Sequence, residues 1–372
     1  MLTFVITILV LSLAFTLLNT LSLPKIKSIQ PGSAKQSTPW PSVNIYVPLR
    51  NEERNVPVLI SNLKKLSYPE LTIYLLDDGS TDKTGTLIEE LTSGDTRFHL
   101  LNGGHLPDGW VGKVHACYQL SRHGNSEYAL FMDADVTLAP GTIESMVMSF
   151  EPGTGLITGF PRCPVKGILG HLLVPMQHFV VHFHLPVLLA NLTVYPPATA
   201  AHGAFMMFRR ESYDHIGGHR SVKDSLVEDV HISRELKKSG YRVKLANITS
   251  HVTCDMYNSD QEVWEGFSKN MFPGLGRSLL LVLLLTILYT AVYIVPLYWA
   301  VLGITGTLPA VYFIPFLLGV LQKAVVDFAT GQKKWIALLM PASAFVTVIL
   351  LWYSAYLGLF KKGFSWKGRV YK

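Results

Sequence analysis

Residues 2 to 23, LTFVITILVLSLAFTLLNTLSL, carry no charged side chain over 22 consecutive positions. A helix of that length rises about 30 Å, which is the thickness of a bilayer's hydrocarbon core. In that core only a helix or a closed barrel satisfies its own backbone, so this stretch points away from a wholly water-soluble fold and toward a membrane helix ended by Pro24 and Lys25. A cleaved leader fits poorly, because the run is too long, no basic segment precedes it and no small-residue cleavage pattern follows. Residues 278–303 and 335–360 form further spanning candidates, the latter with Pro341 near one end. Residues 308–322, LPAVYFIPFLLGVLQ, hold two prolines and are only just long enough, which leaves a short span or a re-entrant hairpin. The composition agrees: 16% of the 372 residues are charged and the mean hydropathy is +0.30.

Basic residues follow the first apolar run (Lys25, Lys27, Lys35) and crowd the end of the chain (Lys361, Lys362, Lys367, Arg369, Lys372). The positive-inside bias then places the middle of the chain and its tail on the cytoplasmic face of a multi-pass cell-membrane protein, which needs an even number of C-terminal crossings. Lys333 and Lys334 pull toward three crossings, so two or three spans remain open. A net charge of +6 suits a surface resting on anionic membrane lipids. A basic, aromatic-interleaved patch is absent from the sequence, so no nucleic-acid partner is expected. Cys117, Cys163 and Cys254 are isolated and odd in number, which argues for a reducing compartment and against a disulfide framework or zinc knuckle.

Between Val43 and about Tyr257 strand and helix patterns alternate: VNIYVPL, a helix through VPVLISNLKKL, LTIYLLDD, a helix through TGTLIEELT, RFHLLN, a helix after Gly112, and YALFMD. The fold class is α/β, an open and mostly parallel sheet with helices on both faces. Ligands of such sheets lie beyond the carboxyl ends of the strands, where PLRNEE, DDGSTD and DADV fall. Neither G-x-G-x-x-G after the first strand nor G-x-x-x-x-G-K-[ST] occurs, which removes the main evidence for dinucleotide binding and P-loop hydrolysis.

The stretch YALFMDADV drives Asp133 and Asp135 into the end of an apolar run, and strand alternation would aim both the same way. Two close like charges raise each other's pKa unless a cation sits between them, so a hard divalent ion competes evenly with a solvated helix-capping loop. In DDGSTD, a turn at Gly79 and capping by Ser80, Thr81 or Asp82 explain four residues and leave Asp77 and Asp78 as candidate readers of a nucleoside. Lys113 in GWVGK opens a helix where both ammonium and helix N-terminus favour phosphate, although a solvated lysine is the plainer account of it alone. Glu228 and Asp229 open another helix, either as partners of its dipole or with one of them as a proton acceptor. His171, His178, His182 and His184 include one i, i+4 pair, but no acid stands near, so an apolar interfacial segment explains them better than zinc. Residues 263–272, VWEGFSKNMF, form a second interfacial candidate with Trp264 and Phe267 at headgroup depth.

In this order VPLRNEE, LLDDGSTD, GWVGK, FMDADV, GAFMMFRRESYDHIGGH and VEDVHISREL resemble the membrane-bound family 2 glycosyltransferases of the GT-A fold. Within that family the chain looks most like the bacterial carotenoid enzymes acting on 4,4'-diaponeurosporenoate, with ceramide and hopanoid glycosyltransferases as neighbours. The resemblance implies an inverting hexosyltransferase that uses a UDP-sugar donor, Mg²⁺ or Mn²⁺, and a lipid acceptor in the bilayer. It implies Pro48, Arg50, Glu52 and Asp78 around the uridine, Lys113 at the base or diphosphate, Asp133 and Asp135 as the metal motif with Asp133 also toward the donor, and Asp229 as catalytic base. Glu228, Gln261 and Trp264 fall on the acceptor side, where the chain departs from the family pattern: QEVWEGF lacks the arginine of Q/R-x-x-R-W. The expected organisation is an N-terminal transmembrane helix (1–24), a linker (25–42), a GT-A catalytic domain (43–258) containing a possible interfacial segment (165–190), an amphipathic segment (259–277), a transmembrane region (278–360) and a basic tail (361–372). A glycolipid synthase acting on ceramide, diacylglycerol or hopanoid is the alternative. A processive polysaccharide synthase would need a wider channel, and a non-catalytic nucleotide-sugar scaffold would not need the acids at 133, 135 and 229.

Overall fold

The computed structural model describes residues 1–29 and 39–360, and the backbone of two short antiparallel strands at Phe364–Trp366 and Arg369–Tyr371. Lys35, Lys361, Lys362, Lys367 and Lys372 lie outside the described residues, as does the side chain of Arg369. The chain divides into two compact units, one made of Leu23–Arg162 and Val187–Met256, the other of Met1–Ser22, Cys163–Pro186 and Tyr257–Lys372.

The first unit holds β1 (Val43–Leu49), β2 (Leu71–Asp77), β3 (Phe98–Asn102), β4 (Tyr128–Met132), β5 (Val136–Leu138), β6 (Thr154–Thr158), β7 (Phe205–Arg209), β8 (Arg242–Leu245) and β9 (Val252–Cys254). Seven of these form one sheet in the order β3-β2-β1-β4-β7-β6-β8. All neighbours run parallel except β7, which is antiparallel to both β4 and β6. Strands β5 and β9 make a separate antiparallel pair. Apolar runs without alternation mark strands covered on both faces, and β4, YALFM, is buried at every position. Helices Val56–Lys64, Thr84–Thr92 and Gly112–Ser121 are the crossovers between β1, β2, β3 and β4. A parallel connection of this kind returns the chain to the same end of the sheet, so β1, β2 and β4 all finish at one edge.

Beneath that edge Tyr46 lies fully buried, its ring 5.5 Å from Tyr74 and 5.0 Å from Phe131, and its hydroxyl donates to the His123 carbonyl at 2.6 Å. Helix Glu228–Lys238 is anchored by Ile232 and Leu236, an i, i+4 pair with no exposed surface. Burying each such side chain contributes about 1.5–3 kcal/mol, enough to fix where the helix start projects its acids.

In the second unit Leu2–Ser22, Leu279–Ile304, Ala310–Ala329 and Lys334–Phe360 are each long and apolar enough to cross a membrane. The segment expected as a short span or hairpin is therefore a 20-residue helix, begun by a 3₁₀ turn and running to Ala329. Pro309 precedes the 3₁₀ turn and Pro315 falls in the first turn of the α-helix after it, where a missing N–H costs little. Helix Met176–His184 packs Met176, Phe179 and Phe183 into one apolar cluster with Val5, Leu9, Tyr289 and Tyr293. His178 and His182 on this helix are buried as well. Polar groups also bridge these helices: Tyr293 donates to Gln322 at 2.8 Å, Gln322 to Thr16 at 2.9 Å, and Asn19 to the His182 carbonyl at 2.8 Å.

Candidate active site

Two loops leave the carboxyl ends of β1 and β2 and are laced together. The Arg50 guanidinium donates to the carbonyls of Asp78 and Gly79. Asn51, held at φ 52°, gives its N–H to Ser80 Oγ at 2.9 Å and accepts from the Thr81 N–H at 2.8 Å. Glu52 N donates to Thr84 Oγ1 at 2.7 Å, and its carboxylate accepts from Asn55 at 2.7 Å. Asp77 accepts from the Ser80 N–H at 2.9 Å, which makes it a turn-former, while Asp82 caps the next helix through the Thr84 N–H at 3.0 Å. Gly79 sits at φ +69°, where a side chain would be strained. Asp78 is left buried at the strand end. Arg50, Glu52 and Asp78 are thus neighbours.

Strand β4 ends at Met132, and Asp133 to Asp135 form a turn toward β5. Strand alternation therefore does not orient the two acids; the turn does, closed by Val136 N donating to the Asp133 carbonyl at 3.3 Å. Lys113, in the first turn of its helix, places Nζ 2.7 Å from Asp133 Oδ1 and 3.2 Å from Glu228 Oε1. Burial pulls the ammonium's pKa down, but Asp133 and Glu228 outweigh it and hold the group well above the ordinary lysine range. Burial, and then the neighbouring Asp133 charge, push Asp135 up to about 7. Among the described residues no lysine or arginine pairs with Asp135; the thiol of Cys254 lies 3.4 Å from its Oδ1.

Asp229 opens helix Glu228–Lys238 and is held by two backbone donors, Gly203 N at 3.0 Å on Oδ2 and its neighbour Val230 N at 2.8 Å on Oδ1. Burial, then the adjacent Glu228 charge, raise it to about 7. Pro48, Lys113, Asp133, Gly203, His219 and Glu228 share the wall of one cavity with the apolar Phe131 and Met206.

The donor set decides what could be held here. Among the described residues no three His, Cys, Asp or Glu side chains gather as a metal cluster, so Asp133 and Asp135 offer two carboxylates at most. That fits a hard cation taking its other oxygens from water and a diphosphate, and not a closed zinc site. The elevated Asp135 carboxyl fits it too, since a cation would offset the burial and the Asp133 charge that lift it.

The sequence matches glycosyl transferase family 21 over residues 4–372. The chain belongs to this family. Family 21 is of the family 2 type, as the motifs led one to expect, and the sheet is that of a GT-A fold. Curated relatives include the 4,4'-diaponeurosporenoate glycosyltransferase of Staphylococcus haemolyticus, 23% identical over 260 residues (67% of this chain, 66% of that protein). The protein of the same description from Staphylococcus aureus is 26% identical over 251 residues (63% and 62%). The chain thus spans just under two thirds of these relatives' length. Among solved structures it is similar to the mannosyltransferase PcManGT from Pyrobaculum calidifontis in complex with GDP-Man and Mn²⁺, with a TM-score of 0.53, 17% identity, and coverage of 97% of this chain and 100% of that one. At that identity the likeness is one of fold.

In this family 21 chain three residues stand at the site without having been singled out as site residues. Gly203 gives Asp229 its N–H, and a Cβ there would meet Lys113 Nζ at 3.1 Å and Glu228 Oε1 at 3.2 Å. His202 is buried, its pKa lowered to about 4 by burial. His219 is buried too, with the Tyr213 hydroxyl 2.8 Å from its Nδ1. Only GAF before a strand hinted at the glycine; the histidines have no spacing signal. Gln261 and Trp264 lie on helix Asp260–Gly274 of the second unit. Gln261 donates to Glu265 at 2.8 Å, and the Trp264 ring lies 5.3 Å from Tyr353.

Proposed function

We propose that this family 21 chain is an inverting hexosyltransferase that moves a sugar, glucose as first candidate, from a UDP-sugar to a lipid in the bilayer. A carotenoid carboxylate is the first acceptor to test, on the strength of what the Staphylococcus relatives are called; ceramide, diacylglycerol and hopanoid are the alternatives. One observation carries the reading. At the edge where β1, β2 and β4 end, a single lysine joins Asp133 to Glu228, with Asp229 beside them and the Arg50, Glu52, Asp78 group on the adjoining loops.

Asp78, with Pro48, Arg50 and Glu52 around it, is assigned to the nucleoside, and Lys113 to the diphosphate. Asp133 and Asp135 would hold Mg²⁺ or Mn²⁺, which when bound supplies positive charge where the leaving nucleotide gains negative charge. Asp229, fixed by two N–H donors, is assigned to align the acceptor for a single displacement, taking the proton of a hydroxyl or merely orienting a carboxylate. Gln261 and Trp264 are assigned to the acceptor side. The four apolar helices support a multi-pass membrane protein; the lysines that follow the first helix favour the cytoplasmic face for the sheet unit, against anionic lipids.

The test is UDP release from UDP-glucose by the full chain in lipid-containing detergent with Mn²⁺, together with mass spectrometry of lipids from cells with and without it. Asp135→Asn and Asp229→Asn are each expected to lose about a hundredfold or more of the rate. Full activity in either variant rejects the assigned role, and binding of UDP-glucose without release in the wild type would leave a scaffold.

A further inference from the structure

The ammonium of Lys113 occupies Oδ1 of Asp133, one of the two carboxylate oxygens a cation could take. It lies 2.7 Å from Oδ1, a full charge-assisted contact, while its second carboxylate, Glu228, is 3.2 Å away. Two cations cannot share one carboxylate oxygen at such distances without strong repulsion. Gly203 leaves the ammonium its room, since a Cβ there would stand 3.1 Å from Nζ and crowd it. Lys113 also belongs to the first turn of helix Gly112–Ser121, where an incoming diphosphate would find both a helix N-terminus and the ammonium. Asp135, by contrast, has no such occupant.

We propose that Lys113 is a built-in stand-in for the metal at Asp133: it holds the site against a divalent cation until a nucleotide diphosphate draws the ammonium away, so that nucleotide and metal bind cooperatively. This rests on the reading of Asp133 and Asp135 as the metal motif. The lysine offsets one of the two negative charges at 133 and 228, and a diphosphate would replace the Asp133 carboxylate as its partner. Its place at Asp133 then passes to the metal, whose other ligands arrive with the same diphosphate. The chain therefore takes up its metal as a metal–nucleotide unit, with little capture of free metal.

The experiment is a Mn²⁺ titration of the full chain in detergent, read as loss of the free-ion electron paramagnetic resonance signal, with and without UDP. Lys113→Met is expected to bind Mn²⁺ alone about tenfold tighter than wild type and to gain less from UDP, within the usual range of coupling between sites. Lys83→Met removes the same charge from an exposed residue that has no contact with Asp133, and is expected to leave Mn²⁺ affinity within about twofold of wild type. Gly203→Ala, which crowds the ammonium, should shift affinity in the same direction by less, and serves if Lys113→Met does not fold. Unchanged Mn²⁺ affinity in the folded Lys113→Met protein, or in Gly203→Ala where Lys113→Met is lost, overturns the proposal and leaves the metal motif standing, as does an equal gain in Lys83→Met. If Asp133→Asn and Asp135→Asn bind Mn²⁺ with UDP as wild type does, the motif and the proposal fall together.

Discussion

Lys323 and Lys113 both pair with carboxylates, and they do opposite things. Lys323 pairs with Asp327 one helical turn away at 2.5 Å, with exposures of 0% and 1%. There one charge answers one charge, in a helix apolar enough to span a bilayer, and the pair is sealed. Lys113 faces Asp133 and Glu228 with 23% of its side chain still exposed, and Asp135 and Asp229 stand close by without a cation of their own. Charge balance under full burial marks an element of architecture, since an isolated ion in that setting is prohibitively costly. Negative excess at an accessible strand edge marks a place where a further cation belongs. The same residue types carry different meanings, and exposure together with the count of partners separates them.

The comparison breaks most visibly at the sealed pair. Lys323→Met strands Asp327, whose Oδ2 already lacks a partner among the described residues, and is expected to destabilise the chain by about 3–5 kcal/mol in detergent thermal unfolding. Lys323→Met combined with Asp327→Leu should recover most of that loss; if the double variant is no better than the single one, the pair is not a closed unit.

At the open cluster the effect should appear in pH dependence. Asp229 is held near 7 by burial and by Glu228, so its basic form grows as pH rises through 7, and UDP-glucose hydrolysis without a lipid acceptor should rise with it. Glu228→Gln removes a like charge and should move that rise to lower pH; an unmoved midpoint would separate Asp229 from the titration. The linkage has the matching sign. The folded chain keeps on Asp229 a proton that the unfolded chain sheds near 3.8, so this group's contribution to stability falls as pH climbs from there to about 7. The smallest effect belongs to a third lysine, Lys238, 2.7 Å from Glu235 but 60% exposed. Glu235→Ala should change stability by no more than about 0.5 kcal/mol in the same unfolding assay.

Much of this was legible in one dimension. The run VNIYVPL coincides with β1 and TGTLIEELT with helix Thr84–Thr92, because burial on both faces and helix periodicity are written into consecutive residues. The acids at strand ends were visible for the same reason. Other features were not. FMMFR reads as a strand, but nothing local places it between β4 and β6 or reverses its direction. GHLLVPMQHFVVHFHLP looked like a segment for a membrane surface, yet its helix closes on Phe179 and Phe183 against residues more than a hundred positions away. Gly203 and His219 reach the site only because β7 pairs with β4 and the short helices after it, Arg210–His215 and Gly218–Val222, bring the chain back.

From the amino-acid order alone came a membrane-bound α/β protein, its uncharged helices and the acids offered at one sheet edge, all consequences of side-chain period and of the cost of charge in hydrocarbon. Three-dimensional closure alone decided which of those acids share a lysine, which stand without one, and which glycine lets the lysine through. Charge–charge energies depend on distance and burial, and neither is a property of neighbouring letters.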